Sequence, residues 1–315
     1  MYMLNQPLNP LLRIDWGCSQ RRSRSLGMLP DLMQSLSKQE LRWMIQAIID
    51  RRRCGRIRTD VDLKSGIETF TIKEKNRLNA WISDRVLKHK PLQYILRSQP
   101  FCGLDIKVRP PTLIPRWETE ELTLKVIDMI KEHSPKEIRV LDLCSGSGCI
   151  SLAVAHHLSM ISKLEVIGID NSAAAIALAR INQRKLSISN ERLKFIQADV
   201  FKELPLTGSF DLIISNPPYI NYDESKKIDS DVLDWEDHSA LFAKDGGLSF
   251  YKRIFDLAPQ LLNRNSFSSI VLEIDGDSQA QAIMNMTKNK FVFEIWKDLA
   301  EKTRSIHCKF KSEIE

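Results

Sequence analysis

Hydrophobic positions divide the chain into a front part with helical spacing and a longer rear part where apolar runs alternate with amphipathic stretches. In the front part, Leu32, Leu36, Leu41, Met44, Ile45 and Ile48 recur at roughly helical spacing, as one buried helix face requires. Gly55 follows the basic turn Arg51-Arg52-Arg53 and suits a helix C-terminus. "TIKEKNRLNAWISDRVLKHKP" predicts a second helix, closed by Pro91. No β-rich run interrupts this half, so residues 26–97 are expected to form a small helical domain. Residues 98–116 hold four prolines and alternate apolar with polar side chains, which predicts a short hairpin and a linker. "ETEELTLKVIDMIKEH" then returns to helix, with carboxylates in its first turn where the helix dipole favours them.

From residue 137 onward the pattern switches to strands separated by helices. Predicted strands are Arg139–Leu143, Leu164–Ile169, Leu193–Ala198, Phe210–Ser215, Ser268–Ile274, Phe291–Trp296 and Ser305–Phe310. Ser172–Lys185 and Leu248–Leu262 are the clearest helices between them. Alternation of this kind predicts an α/β fold with a mainly parallel sheet and helices on both faces. The last two strands have only a short connection, so the final one is expected to be antiparallel and the sheet mixed.

Composition adds limits. A chain of 315 residues with 43% hydrophobic and 27% charged side chains is globular and long enough for two domains. The formal charge of +6 suits a phosphate-bearing partner or a merely solvated surface. Six cysteines, at 18, 54, 102, 144, 149 and 308, form no CxxC pair and have no histidine at zinc spacing. A reducing compartment is therefore expected, with no metal and no disulfide framework. No apolar run reaches the roughly 20 residues of a membrane span. Residues 1–25 contain Arg13, Arg21, Arg22 and Arg24, several serines and Asp15 as their one acid, a composition suited to a mitochondrial targeting segment or to a ragged basic terminus, which leaves the mitochondrial matrix and the cytoplasm as the two expected locations.

Chemistry concentrates at the ends of the predicted strands. "VLDLCSGSGCISLAVA" (140–155) runs from a strand through a glycine-rich turn into a helix. Gly146 and Gly148 permit a tight turn and close approach of a ligand to backbone N–H groups at a helix N-terminus. The third glycine of the usual dinucleotide fingerprint is replaced by Ser151, which disfavours NAD. Asp170 ends the next strand, where a carboxylate accepts ribose hydroxyls. Asp199 and Phe201 end the third, where an acid can accept from an adenine amino group and a phenyl ring can pack on the base. In this order, the three strand ends describe a pocket for an adenosine-type ligand.

"IISNPPYINY" (213–222) ends the fourth strand on Asn216-Pro217-Pro218-Tyr219. Two prolines remove two backbone donors and fix φ twice, so the segment leaves the sheet as a rigid turn. The Asn216 side-chain oxygen and the Pro217 carbonyl can each accept one N–H of a planar nitrogen, and Tyr219 can stack on its plane. Such a turn positions a weakly nucleophilic nitrogen with little entropy left to lose. At this point a glutamine amide and the N6 amine of adenine in DNA or RNA both remain open as substrates. "RRRCGRIR" (51–58) could serve the second by contacting phosphates.

The pocket residues resemble those of class I S-adenosylmethionine-dependent methyltransferases. That resemblance implies a Rossmann-like domain whose cofactor, S-adenosyl-L-methionine, is held by Asp142, Cys144, Ser145, Gly146, Ser147, Gly148, Asp170, Asp199, Phe201 and Asn216. Three stretches go further: "KHKPLQYILRSQPFCGLDIKV" (88–108), "LIPRWETEEL" (113–122) and the Asn-Pro-Pro-Tyr turn. With "EDHSALFAKDGGLSFYKRI" (236–254) and "LEIDGDSQ" (272–279), they resemble the HemK-like release-factor glutamine N5-methyltransferases. The resemblance runs from about residue 38 to 310.

It implies a helical front domain that docks on a peptide chain release factor, a linking hairpin, and a methyltransferase domain over 117–315. The substrate would be the glutamine of a Gly-Gly-Gln loop. Asn216, Pro217 and Tyr219 would act on it and Pro218 would help bind it. Phe101, Thr112, Pro115 and Arg116 would surround the pocket mouth, and Glu118 and Glu120 would pair with Arg116 or cap their helix. The chain departs from the family at Arg97, Trp117, the Glu236-Asp237-His238 stretch and Asp275-Gly276, and His238 is expected to be a plain loop histidine. Nothing in the sequence demands more than a monomer.

Overall fold

A computed structural model of the chain describes Leu32, Ile67 and residues 35–53, 69–265, 267–287 and 290–311. The expected targeting segment and most of the 51–58 basic run lie outside the described residues. The chain divides into two compact units, 1–96 and 97–315. Among the described residues no helix is long and apolar enough to cross a membrane.

In the first unit, helices α1 (Lys38–Arg53), α2 (Ile72–Leu87) and α3 (Leu92–Leu96) surround one apolar core. Ser37 and Glu40 bond each other's backbone and side chain at the start of α1. Thr71 and Glu74 form a full capping box on α2. Met44, Ile45, Ile48, Leu78 and Ile82 are fully buried between the helices. Arg85 of α2 pairs with Glu40 of α1 at 2.9 Å.

The second unit opens with a hairpin, β1 (Gln99–Phe101) and β2 (Leu104–Ile106). Its turn is Cys102-Gly103, both at positive φ, the backbone that matches strand twist in a two-residue loop. After α4 (Trp117–His133) come β3 (Glu137–Leu143), α5 (Cys149–His157), β4 (Lys163–Asp170), α6 (Ala173–Lys185), β5 (Leu193–Gln197) and β6 (Leu212–Ser215). Then follow β7 (Ile220–Asn221), α7 (Ser230–Trp235), β8 (Phe242–Ala243), α8 (Ser249–Leu261), β9 (Ser269–Glu273), α9 (Asp277–Thr287), β10 (Phe291–Lys297) and β11 (Thr303–Phe310). The seven-stranded sheet has the order β10-β11-β9-β6-β3-β4-β5. Strands β3, β4, β5, β6 and β9 are parallel, and β11 runs antiparallel to both of its neighbours, β9 and β10.

All seven predicted strands are present, with ends shifted by at most two residues. The small parallel pair β7–β8 was not legible in the sequence, because two residues carry no periodicity. Side-chain alternation explains the two layers of core. Val140, Leu212, Ile214 and Val271 face α4, α5 and α6. Leu141, Leu143, Ile213, Ile270 and Leu272 face α8 and α9. The chain builds β3-β4-β5 in one direction and returns to lay β6 on the other side of β3. The C-terminal ends of β3 and β6 therefore form a switch point, the place where doubly wound sheets bind ligands.

Candidate active site

A cleft lies over that switch point. Its floor is the turn between β3 and α5. Cys144 takes a φ of 63° and Gly146 one of 54°. Ser145 N–H donates to the Ile169 carbonyl at 2.9 Å, which ties the turn to β4. Gly146 N–H donates to Asp170 Oδ2 at 2.8 Å, and a Cβ built on Gly146 would meet no atom within 4 Å. Gly148 differs: at φ 80° its Cβ would lie 2.6 Å from the Phe195 ring. The two glycines thus serve separate needs, Gly146 leaving room on the ligand side and Gly148 packing against β5.

The predicted cofactor residues fall into three groups. Cys144, Gly146, Asp170, Asp199 and Asn216 line the cleft. Ser145 and Ser147 are buried in the turn, with hydroxyl oxygens unpartnered among the described residues. Asp142 lies beneath the turn and is fully buried. Its Oδ2 accepts from the backbone N–H and hydroxyl of Ser151, at 3.1 and 2.5 Å, in the first turn of α5. Burial pushes its carboxyl up to about 7. In this geometry Asp142 holds the helix that receives the ligand.

Phe201 corrects the expectation of a ring over the base. It is 49% exposed and lies outside the cleft, edge-on to Phe250 with ring centroids 4.9 Å apart. The ring that lines the cleft is Phe250, at the start of α8, together with Val200. Phe250 is far away in sequence, and only the packing of α8 brings it here.

Asp170 has both oxygens engaged, Oδ2 by Gly146 N–H and Oδ1 by Ser172 N–H at 2.9 Å. Each oxygen keeps a second lone pair for a hydroxyl. Burial raises its pKa despite those bonds.

The Asn-Pro-Pro-Tyr turn forms one wall. Asn216 and Pro218 line the cleft, Pro217 is buried, and Tyr219 points its hydroxyl inward to Glu273 Oε1 at 3.3 Å. Asn216 Nδ2 donates to Thr119 Oγ1 at 3.0 Å, and Thr119 donates to Glu273 Oε2 at 2.6 Å. Register explains the cluster. Ser215 pairs with Leu272, so Asn216 and Glu273 stand side by side one residue beyond the paired strand ends. Both project toward α4, the face that Ile214 and Val271 share. Burial raises the Glu273 carboxyl to about 7.

The mouth also differs from expectation. Thr112 and Leu113 line the cleft, but Phe101 is 1% exposed in the core and Pro115 is buried. Arg116 does not pair with Glu118 or Glu120. It reaches Glu236 with Nη2 at 2.8 Å from both carboxylate oxygens. Glu120 instead accepts from Cys102 N–H at 2.6 Å. The Arg116–Glu236 pair and the bond from Asp237 N–H to the Pro111 carbonyl hold residues 236–240 at the cleft, which Asp237, Ser239 and Ala240 line. His238 is exposed and contacts the Leu233 carbonyl, as a loop histidine would.

A sequence profile described as a methyltransferase domain matches residues 134–295. A release factor glutamine methyltransferase of Lactococcus lactis subsp. lactis is 38% identical over 232 residues, covering 72% of this chain and 80% of that protein. One from Fusobacterium nucleatum subsp. nucleatum is 38% identical over 239 residues, covering 75% of this chain. The chain spans just under two thirds of the Fusobacterium protein's length, 65%. The "Probable MRF1 mitochondrial N(5)-glutamine methyltransferase mtq1" of Schizosaccharomyces pombe is 34% identical over 210 residues, covering 63% of this chain and 68% of that protein. Among solved structures, the hMettl16 catalytic domain in complex with MAT2A 3′UTR hairpin 6 superposes with a TM-score of 0.52 at 16% identity, covering 78% of this chain and 84% of that one. That likeness shows the class I methyltransferase fold alone. The sequence matches go further, and the chain belongs to the release factor glutamine methyltransferase family.

Proposed function

We propose that this chain transfers a methyl group from S-adenosyl-L-methionine to the side-chain amide nitrogen of the glutamine in the Gly-Gly-Gln loop of a peptide chain release factor. The observation that carries the reading is Asn216, held at the cleft wall beside the glycine turn with nothing among the described residues donating to its Oδ1.

The cleft fits the methyl donor. Its lining sets the carboxylates of Asp170 and Asp199 beside apolar Ile169, Ala198 and Val200, the mix that a nucleoside needs. The open side of Gly146 and the turn around it would receive the methionine part. Asp170 would accept the ribose hydroxyls, Asp199 would take the adenine amino group, and Phe250 and Val200 supply apolar walls. When bound, the sulfonium supplies an electrophilic methyl group.

The protein's own task is to position the amide. An amide nitrogen is a poor nucleophile because its lone pair is delocalised into the carbonyl. Asn216 Oδ1 accepts one of its N–H groups and the Pro217 carbonyl the other, so both bonds strengthen as the nitrogen gains positive charge. The two prolines keep those acceptors in place. A cationic amide nitrogen is strongly acidic and releases its proton without a dedicated base.

A helical domain over residues 26–97 would dock the release factor, and residues 1–25 would direct the chain to the mitochondrial matrix; the S. pombe relative is named as mitochondrial. One assay tests the substrate. Labelled S-adenosylmethionine is supplied with a mitochondrial release factor, its Gln→Ala loop variant, and total RNA and DNA. Label on the intact release factor alone supports the reading. Label on nucleic acid, or equal label on the Gln→Ala variant, overturns it. Import of a reporter fused to residues 1–25 tests the location separately.

A further inference from the structure

We infer that Thr119 and Glu273 are positioning residues for the methyl-transfer step, acting through Asn216 by fixing which end of its amide faces the substrate. This rests on the proposed amide substrate, but its geometry can be read without it.

An asparagine side chain can present oxygen or NH2 in either direction, and only its hydrogen-bond partners decide. An ionised Glu273 can only accept. Thr119 therefore spends its single O–H on Glu273 Oε2, at 2.6 Å, and its oxygen is left to accept. Asn216 must then turn NH2 toward Thr119, at 3.0 Å, which leaves Oδ1 facing the cleft as an acceptor. Tyr219 donates to the other Glu273 oxygen at 3.3 Å, so the carboxylate is satisfied on both sides. The chain of bonds runs in one direction, from amide to hydroxyl to carboxylate. It also places a buried negative charge two bonds behind the acceptor, where it strengthens Oδ1 as the substrate nitrogen becomes positive.

Thr119 is 2% exposed and Glu273 3% exposed, so water does not compete for these bonds. Neither residue lines the cleft, which separates their role from cofactor binding. The charged and titratable groups around Glu273 include Glu118 on α4, Tyr219 on the turn after β6, Tyr251 on α8, whose hydroxyl donates to the Glu273 carbonyl at 2.7 Å, and Arg304 on β11, itself paired with Asp298 at 3.4 Å and facing Asp275 at 3.8 Å. Burial lifts Glu273 to about 7, with Glu118 adding to the rise and Arg304 opposing it. When Glu273 is protonated it can donate to Thr119, the hydroxyl is released to point at Asn216, and the amide is free to reverse. Activity is therefore expected to rise with pH through about 7.

The test compares Thr119→Val, Thr119→Ser and Glu273→Gln in the full chain. The readouts are kcat and KM for the release factor, the pH profile of kcat, binding of S-adenosylhomocysteine, and the ¹⁵N-edited side-chain amide signals of Asn216. Thr119→Val should lower kcat by about 10-fold or more, leave S-adenosylhomocysteine binding unchanged, and shift the Asn216 NH2 signals. Thr119→Ser should restore kcat to within about threefold, because it keeps the hydroxyl. Glu273→Gln should lower kcat and abolish its rise through about 7, and it decides the matter if Thr119→Val does not fold. Wild-type kcat in Thr119→Val, equal damage by Thr119→Ser, unshifted Asn216 signals in Thr119→Val, or an unchanged pH profile in Glu273→Gln would each overturn the inference. If the wild-type protein labels no release factor, the substrate reading fails instead, and the Asn216 signals still decide the relay.

Discussion

The backbone N–H of Gly146 donates to Oδ2 of Asp170 at 2.8 Å, so the carboxylate placed to hold a ribose also holds the turn that would cradle the rest of the ligand. Its second oxygen fixes Ser172, the N-cap of α6. One side chain thus couples β3, β4 and two helix starts around the cleft.

Replacing Asp170 should hurt binding more than folding. In Asp170→Ala two charge-assisted backbone bonds and the ribose acceptor vanish together. Bonds to a charged group are worth roughly 1.5–3 kcal/mol, so affinity for S-adenosylhomocysteine should fall about 10- to 150-fold. Asp170→Asn should do little better, because its NH2 must face one of the two backbone donors. Calorimetric titration measures this. An unchanged Kd in the alanine variant would show that Asp170 is only a structural anchor.

The two glycines of the turn should separate stability from binding. Gly148→Ala meets both a φ of 80° and a contact of 2.6 Å with Phe195, and each of these costs about 1–3 kcal/mol. The thermal midpoint should drop by several degrees, at roughly 2–4 °C per kcal/mol for a domain of this size. Gly146→Ala faces only the strain of its φ of 54° and clashes with nothing in the protein. It should melt closer to the parent protein, while its methyl group enters the ligand side and weakens S-adenosylhomocysteine binding. Equal melting of the two variants would contradict the division of labour.

Gly247 offers a route to the catalytic turn from outside it. At φ 87° its missing Cβ would lie 2.3 Å from the Tyr219 carbonyl oxygen, whereas neighbouring Gly246 at φ 64° has open space. Gly247→Ala must therefore push the Asn-Pro-Pro-Tyr segment and should lower kcat about 100-fold, the scale of a 1 Å misplacement. Gly246→Ala should leave kcat near the parent value. Steady-state kinetics with cofactor binding as a control distinguish the two, and comparable kcat in both variants would count against a rigid turn.

Much of this site was legible in the sequence because its residues occur at strand ends, where a change of pattern flags them. The glycine turn, Asp170, Asp199 and the Asn-Pro-Pro-Tyr segment all end apolar runs. Residues that act across the fold left weaker signals. Thr119 and Glu273 lie inside stretches that marked the family, yet they are 154 positions apart, and only the packing of α4 against the sheet brings them together. Phe250 looks like any apolar residue of an amphipathic helix. The adjacency of Phe201 to Asp199 is visible in the sequence, whereas the orientation of its ring, edge-on to Phe250, is not. Glu118 and Glu120 are the carboxylates near Arg116 in sequence, but the one it pairs with lies 120 positions away.

That Arg116–Glu236 pair gives a prediction with a definite pH sign. Glu236 is 4% exposed, and burial raises its pKa even though Arg116 opposes the rise. A carboxyl raised in the folded state costs stability above its unfolded pKa and costs nothing when protonated at lower pH. Arg116→Ala removes the opposing charge, so the folded pKa rises further and the cost at neutral pH grows. The loss should be about 1–3 kcal/mol at pH 8. This is below the roughly 3–5 kcal/mol of a fully buried pair, because the Arg116 side chain keeps 34% of its exposure. At pH 5 much of the loss should disappear, since the unpaired carboxyl takes up a proton. Arg116→Ala combined with Glu236→Gln should recover stability at pH 8 for the same reason. Urea midpoints at the two pH values measure all three, and an equal loss for Arg116→Ala at both would mean that the pair is screened by water and does not hold residues 236–240 at the cleft.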